Sequence, residues 1–468
     1  MTRGLAASVA ALAALWLVAV PGSLAAQSDV RTTADSGAAL RPLGLEEAVL
    51  EARRGNPDLR LAELDHESAR AAARMAAAPL FPGLEVDVGF QRSNDPVFAF
   101  GTRLRQERFG AADLALDALN HPDPITSWSS GAGVRWDVLD PGAWARRAEA
   151  RHGADAAGWR ARRAGEGAEL QARILYWRAV GADASVRAAR SAEEAARATV
   201  ERFRKRADEG LLTRADVLRA EAGLASARAD RNQAERSRDD IRAQLGLALG
   251  WSPDTVPVPT DTLTAPESEA APAAPAFEPT ERADIRALGA LVDMRGAKED
   301  EALTSFAPRV EAFAGYQRYA DALLGKDGDA WSVGVMLRWT VFAGLSRPAA
   351  LSRARAERTS AELRFARSVR EARAEVRSAR RGVEASLRAV SATRAAEDAA
   401  LQARDLMRRR FEEGLAGATD LLSAEAGASA ARSRAVGALA GYHEALARWR
   451  FALGRDAAGD LPGSEGQR

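Results

Sequence analysis

The chain is written twice, so it must fold as two similar units or as one body built from two similar halves. Gly210-Leu211 and Asp216-Val217-Leu218-Arg219-Ala220-Glu221 return 204 residues later as Gly414-Leu415 and Asp420-Leu421-Leu422-Ser423-Ala424-Glu425. Ala248-Leu249-Gly250 returns at the same offset as Ala452-Leu453-Gly454. At 203, Trp128-Ser129, Gly131, Arg135-Trp136 and Val138 return as Trp331-Ser332, Gly334, Arg338-Trp339 and Val341. Pro82, Gly89 and Phe90 answer to Pro308, Gly315 and Tyr316 at an offset of 226, which puts the extra residues of the first copy between Phe90 and Trp128. The first repeat spans 27–250 and the second 281–454, joined by a Pro- and Ala-rich linker at 251–280.

Within each half the hydrophobic period changes from helical to two-residue and back. Residues 45–78 read as helix. Leu84, Val86, Val88 and Phe90 then alternate with polar or small residues, as do Trp128, Ser130, Ala132, Val134, Trp136 and Val138. The second half repeats the pattern with Val310, Ala312, Ala314 and Tyr316, then Trp331, Val333, Val335, Leu337, Trp339 and Val341. Phe313 and Met336 interrupt its polar face. Each half therefore holds one hairpin, at about 82–140 and 308–343, of two strands about ten residues long. Such strands have the length and alternation of tilted transmembrane β-strands, with Trp128, Trp136, Trp331 and Trp339 where an aromatic girdle would lie. The pattern alone also fits a small soluble sandwich with one buried face. Closed membrane barrels start at eight strands, so a lipid-facing pair of hairpins needs copies from other subunits, and three chains would give twelve strands.

Asp140-Pro141 supplies an N-cap and a proline at the first helical position. Helical composition runs from there to about Glu209, and again from Ser346 to about Glu413, each stretch reaching roughly 100 Å at 1.5 Å per residue. Shorter helices at 45–78, 213–249, 281–305 and 416–453 could stack end to end beside the long ones. Val369, Val376, Val383 and Val390 lie seven apart with Ala372 and Ala379 between them, a coiled-coil seam. Gly210 and Gly414 follow the long helices as positive-φ terminators and mark hairpin tips. Thr213 or Asp216, and Thr419 or Asp420, can cap the returning helices.

Composition closes off other classes. The 66 Lys and Arg balance 65 Asp and Glu, and without residues 1–26, whose one charge is Arg3, the chain is neutral. A nucleic-acid partner is thereby disfavoured. The absence of cysteine excludes disulfides, thiolate metal sites and a lipidated N-terminal cysteine. The four histidines, His66, His121, His152 and His443, stand singly, with no partner at metal-ligand spacing. No phosphate loop or nucleophile elbow is present, so neither an enzyme nor a cofactor is expected. Residues 1–26 read as a cleaved signal peptide: Arg3, an apolar run from Leu5 to Val20, then Ser23-Leu24-Ala25 before the cut. The tail at 455–468 reads as disordered.

Taken together, the signal peptide, tandem halves, strand hairpins, helices of about 68 residues and Gly-x5-Asp-[Val/Leu]-Leu-x-Ala-Glu tips resemble the TolC-like outer membrane efflux protein family. The resemblance spans about Leu43 to Gly454, and Asp95-Pro96-Val97-Phe98-Ala99-Phe100-Gly101 through His121-Pro122-Asp123 looks like the first extracellular loop of some members. It implies a mainly α fold with a small β part: long antiparallel coiled-coil helices and two transmembrane β-hairpins per chain, combined as a homotrimeric barrel-tunnel. It implies a barrel in outer-membrane lipid, a periplasmic helical tunnel with the linker near its equator, a periplasmic adaptor and an inner-membrane transporter. Gly210, Leu211, Thr213 and Asp216, with Gly414, Leu415 and Thr419, match the adaptor-contacting tips, where Leu211-Leu212 and Leu415 are apolar. In the best-known member an Arg and two Asp rings close the inner tips. Here the Arg position is Ala416, the first Asp is Asp420 and the second is Ser423, leaving Glu413 and Asp420 as aperture candidates. Cargo is not legible. The runner-up is a soluble periplasmic coiled-coil or adaptor-like protein, against which stands the presence of only two strands per half.

Overall fold

The computed structural model describes residues 39–264, 266, 276–323 and 325–454. The expected signal peptide, the tail and much of the linker lie outside these residues.

Two helices dominate. Pro141–Asp208 (α5) has 68 residues and Ser346–Glu412 (α8) has 67, each about 100 Å long. Asp140 starts α5 by accepting from the Gly142 amide at 3.0 Å. The first short helical stretch is broken in two, Leu45–Gly55 (α1) and Pro57–Met75 (α2), where continuous helix was expected. Asn56-Pro57 makes the break: the Asn56 side chain accepts from the amides of Asp58 and Leu59 at 3.0 and 3.1 Å, and Pro57 takes the first helical position. In the loop between the strands of the first half, Pro96–Arg105 (α3) and Leu116–Asn120 (α4) are helical. Arg214–Ala248 (α6), Ala283–Thr304 (α7) and Ala418–Leu453 (α9) complete the set.

The short helices meet end to end beside the long ones. At one joint the buried Asn56 donates Nδ2 to the Ala248 carbonyl, 3.0 Å away, at the end of α6. Gly250, with φ of +73°, lies so close to Gly55 that a Cβ there would strike the Gly55 carbonyl. At the other joint the buried Arg282 donates to the Ala452 carbonyl at 3.0 Å and pairs with Asp284 and Glu375, both at 2.7 Å. One position in the repeat thus carries an amide in the first half and a guanidinium in the second.

Midway along α5, Tyr176 sits in a core of Leu43, Ala48, Ala172, Val180, Leu245 and Leu249. Its hydroxyl donates to Asp261 at 2.5 Å, and burial together with that carboxylate pushes the phenol up to about 12. Ala39–Leu43 (β1) and Thr255–Pro259 (β4) form a two-stranded sheet at this level. The seam between α8 and α9 packs Val383, Leu387 and Val390 on Tyr442 and Trp449.

A second, antiparallel sheet holds Gly83–Ser93 (β2), Ile125–Leu139 (β3), Arg309–Ala320 (β5) and Gly328–Arg338 (β6) in the order β2-β3-β5-β6. Mainly α with a small β part is therefore the fold, as the repeat pattern led one to expect. β6 ends at Arg338, short of the expected Trp339 and Val341, because Arg338 pairs with Arg309, the first residue of β5.

Candidate functional site

Register puts the apolar residues of all four strands on one face. Leu84 lies opposite Val134, Val134 opposite Ala314 and Ala314 opposite Val333. This face is bare: Leu84 is 72% exposed, as is Val335. The other face carries Glu85, Asp87, Ser129, Arg135, Glu311, Gln317 and Ser332 among glycines. Phe313, apolar on the polar face, lays its ring over Gly334, where a Cβ would come within 2.5 Å of it. Nothing in the structure explains Met336. β2 and β6 each have one edge without a strand beside it.

The four tryptophans fall at two levels. Trp136 donates its indole N–H to the Leu80 carbonyl at 3.1 Å, and Trp339 donates to the Phe306 carbonyl at 3.1 Å, each acceptor just ahead of a strand. Trp128, against Phe90 with ring centres 4.8 Å apart, and Trp331 mark the other end. Eight residues of strand separate Trp128 from Trp136, about 26 Å. Tilted as barrel strands are, that run rises about 20 Å along the membrane normal and falls within the ~25 Å apolar band of membrane barrels. Among the described residues no helix is long and apolar enough to cross a membrane.

At the far end of the helices the two tips adjoin. Gly210 and Gly414 have φ of +75° and +76°. Leu211 N–H bonds back to the Arg206 carbonyl and Leu415 N–H to that of Arg410, the Schellman closure of each long helix. On the outer hairpin Thr213 is the N-cap, with Asp216 completing the box: each accepts from the other's amide at 3.2 Å. The Thr213 hydroxyl also holds the Asp216 carboxyl below its ordinary range. On the inner hairpin the expected caps Thr419 and Asp420 are displaced by Gly417, which occupies the N-cap, while Asp420 sits one turn in and accepts from the Gly417 amide at 3.1 Å. Having no side chain, glycine left no capping signal in the sequence. Thr419 and Asp420 are exposed, and so is Glu413, the C-cap of α8. Leu211 and Leu415 are 66% and 64% exposed. Leu212, expected to be apolar and exposed beside Leu211, instead packs on the tip core of Phe203, Val217, Phe411 and Leu421, as does Ala416.

Arg206 was not visible as a site residue. From the outer hairpin it donates to the Phe411 and Glu412 carbonyls at 2.7 and 2.6 Å, capping the inner long helix, and it lies over the Phe411 ring. Two turns above the tips, Glu425 is largely buried, accepts from the Thr199 hydroxyl at 2.7 Å, and burial pushes its carboxyl above the ordinary range. The histidines stay apart; His443 stacks on Trp177 at 3.8 Å.

An open sheet with one bare apolar face and tryptophans at two levels, continued by helices of about 100 Å, defines the class of outer-membrane channel subunits. The chain belongs to the outer membrane efflux protein family, whose model matches residues 48–251 and 280–455. That match supports a channel and not the soluble alternative. Among solved structures, a membrane protein from Pseudomonas aeruginosa is similar, with a TM-score of 0.75 and 23% identity, covering 88% of this chain and 90% of its own. The outer membrane channel CmeC of Campylobacter jejuni gives a TM-score of 0.77 at 15% identity, covering 88% and 85%. The outer membrane protein VceC of Vibrio cholerae gives 0.73 at 22%, covering 88% and 96%. At these identities the likeness is one of fold. No curated protein matches by sequence.

Proposed function

We propose that three copies of this chain, exported by a signal peptide at 1–26 and not lipidated, close a twelve-stranded barrel in the outer membrane. Their long helices continue it as a periplasmic tunnel, with the 251–280 linker at the equator. The carrying observation is the four-stranded sheet, bare and apolar on one face, polar on the other, with an unpaired strand at each edge. A sheet edge demands partners, and a closed barrel supplies them all within the bilayer. The conduit does no chemistry. An inner-membrane transporter drives efflux, and a periplasmic adaptor contacts the tips through Gly210, Leu211, Thr213, Asp216, Gly414, Leu415 and Thr419.

Three copies each of Glu413 and Asp420 at a narrow mouth form anionic rings that favour cations. Alanine at 416 and serine at 423 stand where the resemblance puts the latch arginine and the second aspartate, which leaves Glu413 and Asp420 to line the mouth.

Membrane fractionation tests the reading: heat-modifiable trimers in the outer membrane are expected, and a soluble, detergent-independent monomer would overturn it. In planar bilayers Asp420→Asn should lower cation selectivity, and unchanged selectivity removes the ring. Cysteines placed at 211 and 415 should crosslink an adaptor in a working pump.

A further inference from the structure

The helix α3, in the loop between β2 and β3, has no role in the reading above. Asp95 caps it by accepting from the Phe98 amide at 2.8 Å. One face, Ala99 and Thr102 with Gln106 just beyond, is buried. The opposite face is an apolar stripe at helical spacing: Val97, 80% exposed, with Phe100 and Leu104.

Four contacts place the end of α3 and the residues after it on the polar face of the sheet. The Arg105 guanidinium lies over the Tyr319 ring, 5.3 Å from its centre. The Arg105 carbonyl lies where a Cβ on Gly328 would point, and Gly328 and Tyr319 are paired on that face. Arg108 pairs with Asp321 at 2.5 Å, and Gln106 donates to the Thr126 carbonyl at 2.9 Å. The helix end therefore reaches from the start of β3 to the start of β6, one of the two strands with an open edge.

A stripe on that side of the sheet cannot meet lipid. Resting on the trimer proposed above, we infer that it meets the same stripe of the other two copies. An eight-stranded barrel is already filled by its own side chains, and twelve strands leave a modest lumen. Three helices, each 10–12 Å across with their side chains, fill such a mouth. Val97, Phe100 and Leu104 then form an apolar plug at the outer end of the pore, continuous with the seam where β6 pairs with the next copy. The exposed Arg108–Asp321 pair is a weak tether; the buried face and the Gln106 bond to the Thr126 carbonyl hold the plug on the sheet.

The chain has no cysteine, so a disulfide between copies of a single-cysteine variant joins two protomers and appears as a band of twice the chain mass. Phe100→Cys and Leu104→Cys, oxidised in outer-membrane vesicles, should each give a crosslinked dimer on a non-reducing gel, and lipid-facing Val333→Cys should not. Replacing Val97, Phe100 and Leu104 together by aspartate should raise single-channel conductance several-fold. Heat-modifiable trimers in which neither cysteine crosslinks, or in which the triple variant conducts as before, overturn the plug and leave the channel reading intact. Absence of trimers overturns the channel reading, and the plug falls with it.

Discussion

Glu221 and Glu425 close the same motif in the two halves, 204 residues apart, and their surroundings have opposite effects on them. Glu221 faces solvent between α5 and α6, where Arg204 holds it at 2.6 Å and keeps its carboxyl below the ordinary range. Glu425 is turned toward α5, where burial raises it and the Thr199 hydroxyl, with Arg202 3.5 Å away, only partly offsets this. The backbone of the two tips is nearly the same, with matching glycines and matching closures. Duplication therefore fixed the hairpin, and contact between the hairpins then gave each copy of a residue a different task.

The end-to-end joints of the short helices break the comparison most strongly. Arg282→Ala removes charge-assisted bonds to Ala452, Asp284 and Glu375 together, while Asp284 keeps Arg163 4.0 Å away and both carboxylates reach solvent, and should cost about 2–4 kcal/mol in thermal unfolding followed by circular dichroism. Asn56→Ala, at the matching position, removes a cap and one neutral bond, and should cost about 1–3 kcal/mol. Equal losses would mean that the two joints are equivalent after all.

At the tips, Arg206→Ala removes two charge-assisted bonds to the end of α8 and should cost about 1.5–3 kcal/mol. Arg410→Ala, its exposed repeat mate, should stay within roughly 0.5 kcal/mol. The glycines sharpen the likeness instead: Gly210→Ala and Gly414→Ala should each cost about 1–2 kcal/mol, equally, since both hold left-handed backbone.

The smallest effect is on pH dependence. Glu425 has a raised value in the folded chain, so its contribution to stability is full below the unfolded carboxyl range and is lost as pH rises through the raised value. Glu425→Gln should remove that decline, which urea titrations find above the ordinary carboxyl range. Glu221, lowered in the folded chain, acts in the opposite sense: its small contribution is present above the ordinary range and fades as pH falls through the lowered value. Glu221→Gln should therefore alter only the acid limb.

Long-range features were legible because they rest on composition and punctuation. Asp140-Pro141 began α5, and Gly210 and Gly414 ended the long helices. Asn56-Pro57 and Asp95-Pro96 carry the same cap-and-proline signal, yet apolar periodicity on both sides hid the first and a loop-like setting hid the second. Where β6 stops was not legible, because alternation continues through Trp339 and Val341 while pairing depends on where β5 begins. Arg206 and Glu425 were hidden for a related reason. Their roles come from the adjacent hairpin, which no local spacing reports.

The unpaired edges of β2 and β6 have a thermodynamic consequence. A single copy leaves two rows of amides and carbonyls unsatisfied, a state the bilayer core does not tolerate. Insertion and assembly are then one event whose midpoint moves with protomer concentration. In the proposed trimer no isolated chain possesses a barrel stability of its own, and one copy with a spoiled edge would disable two sound neighbours.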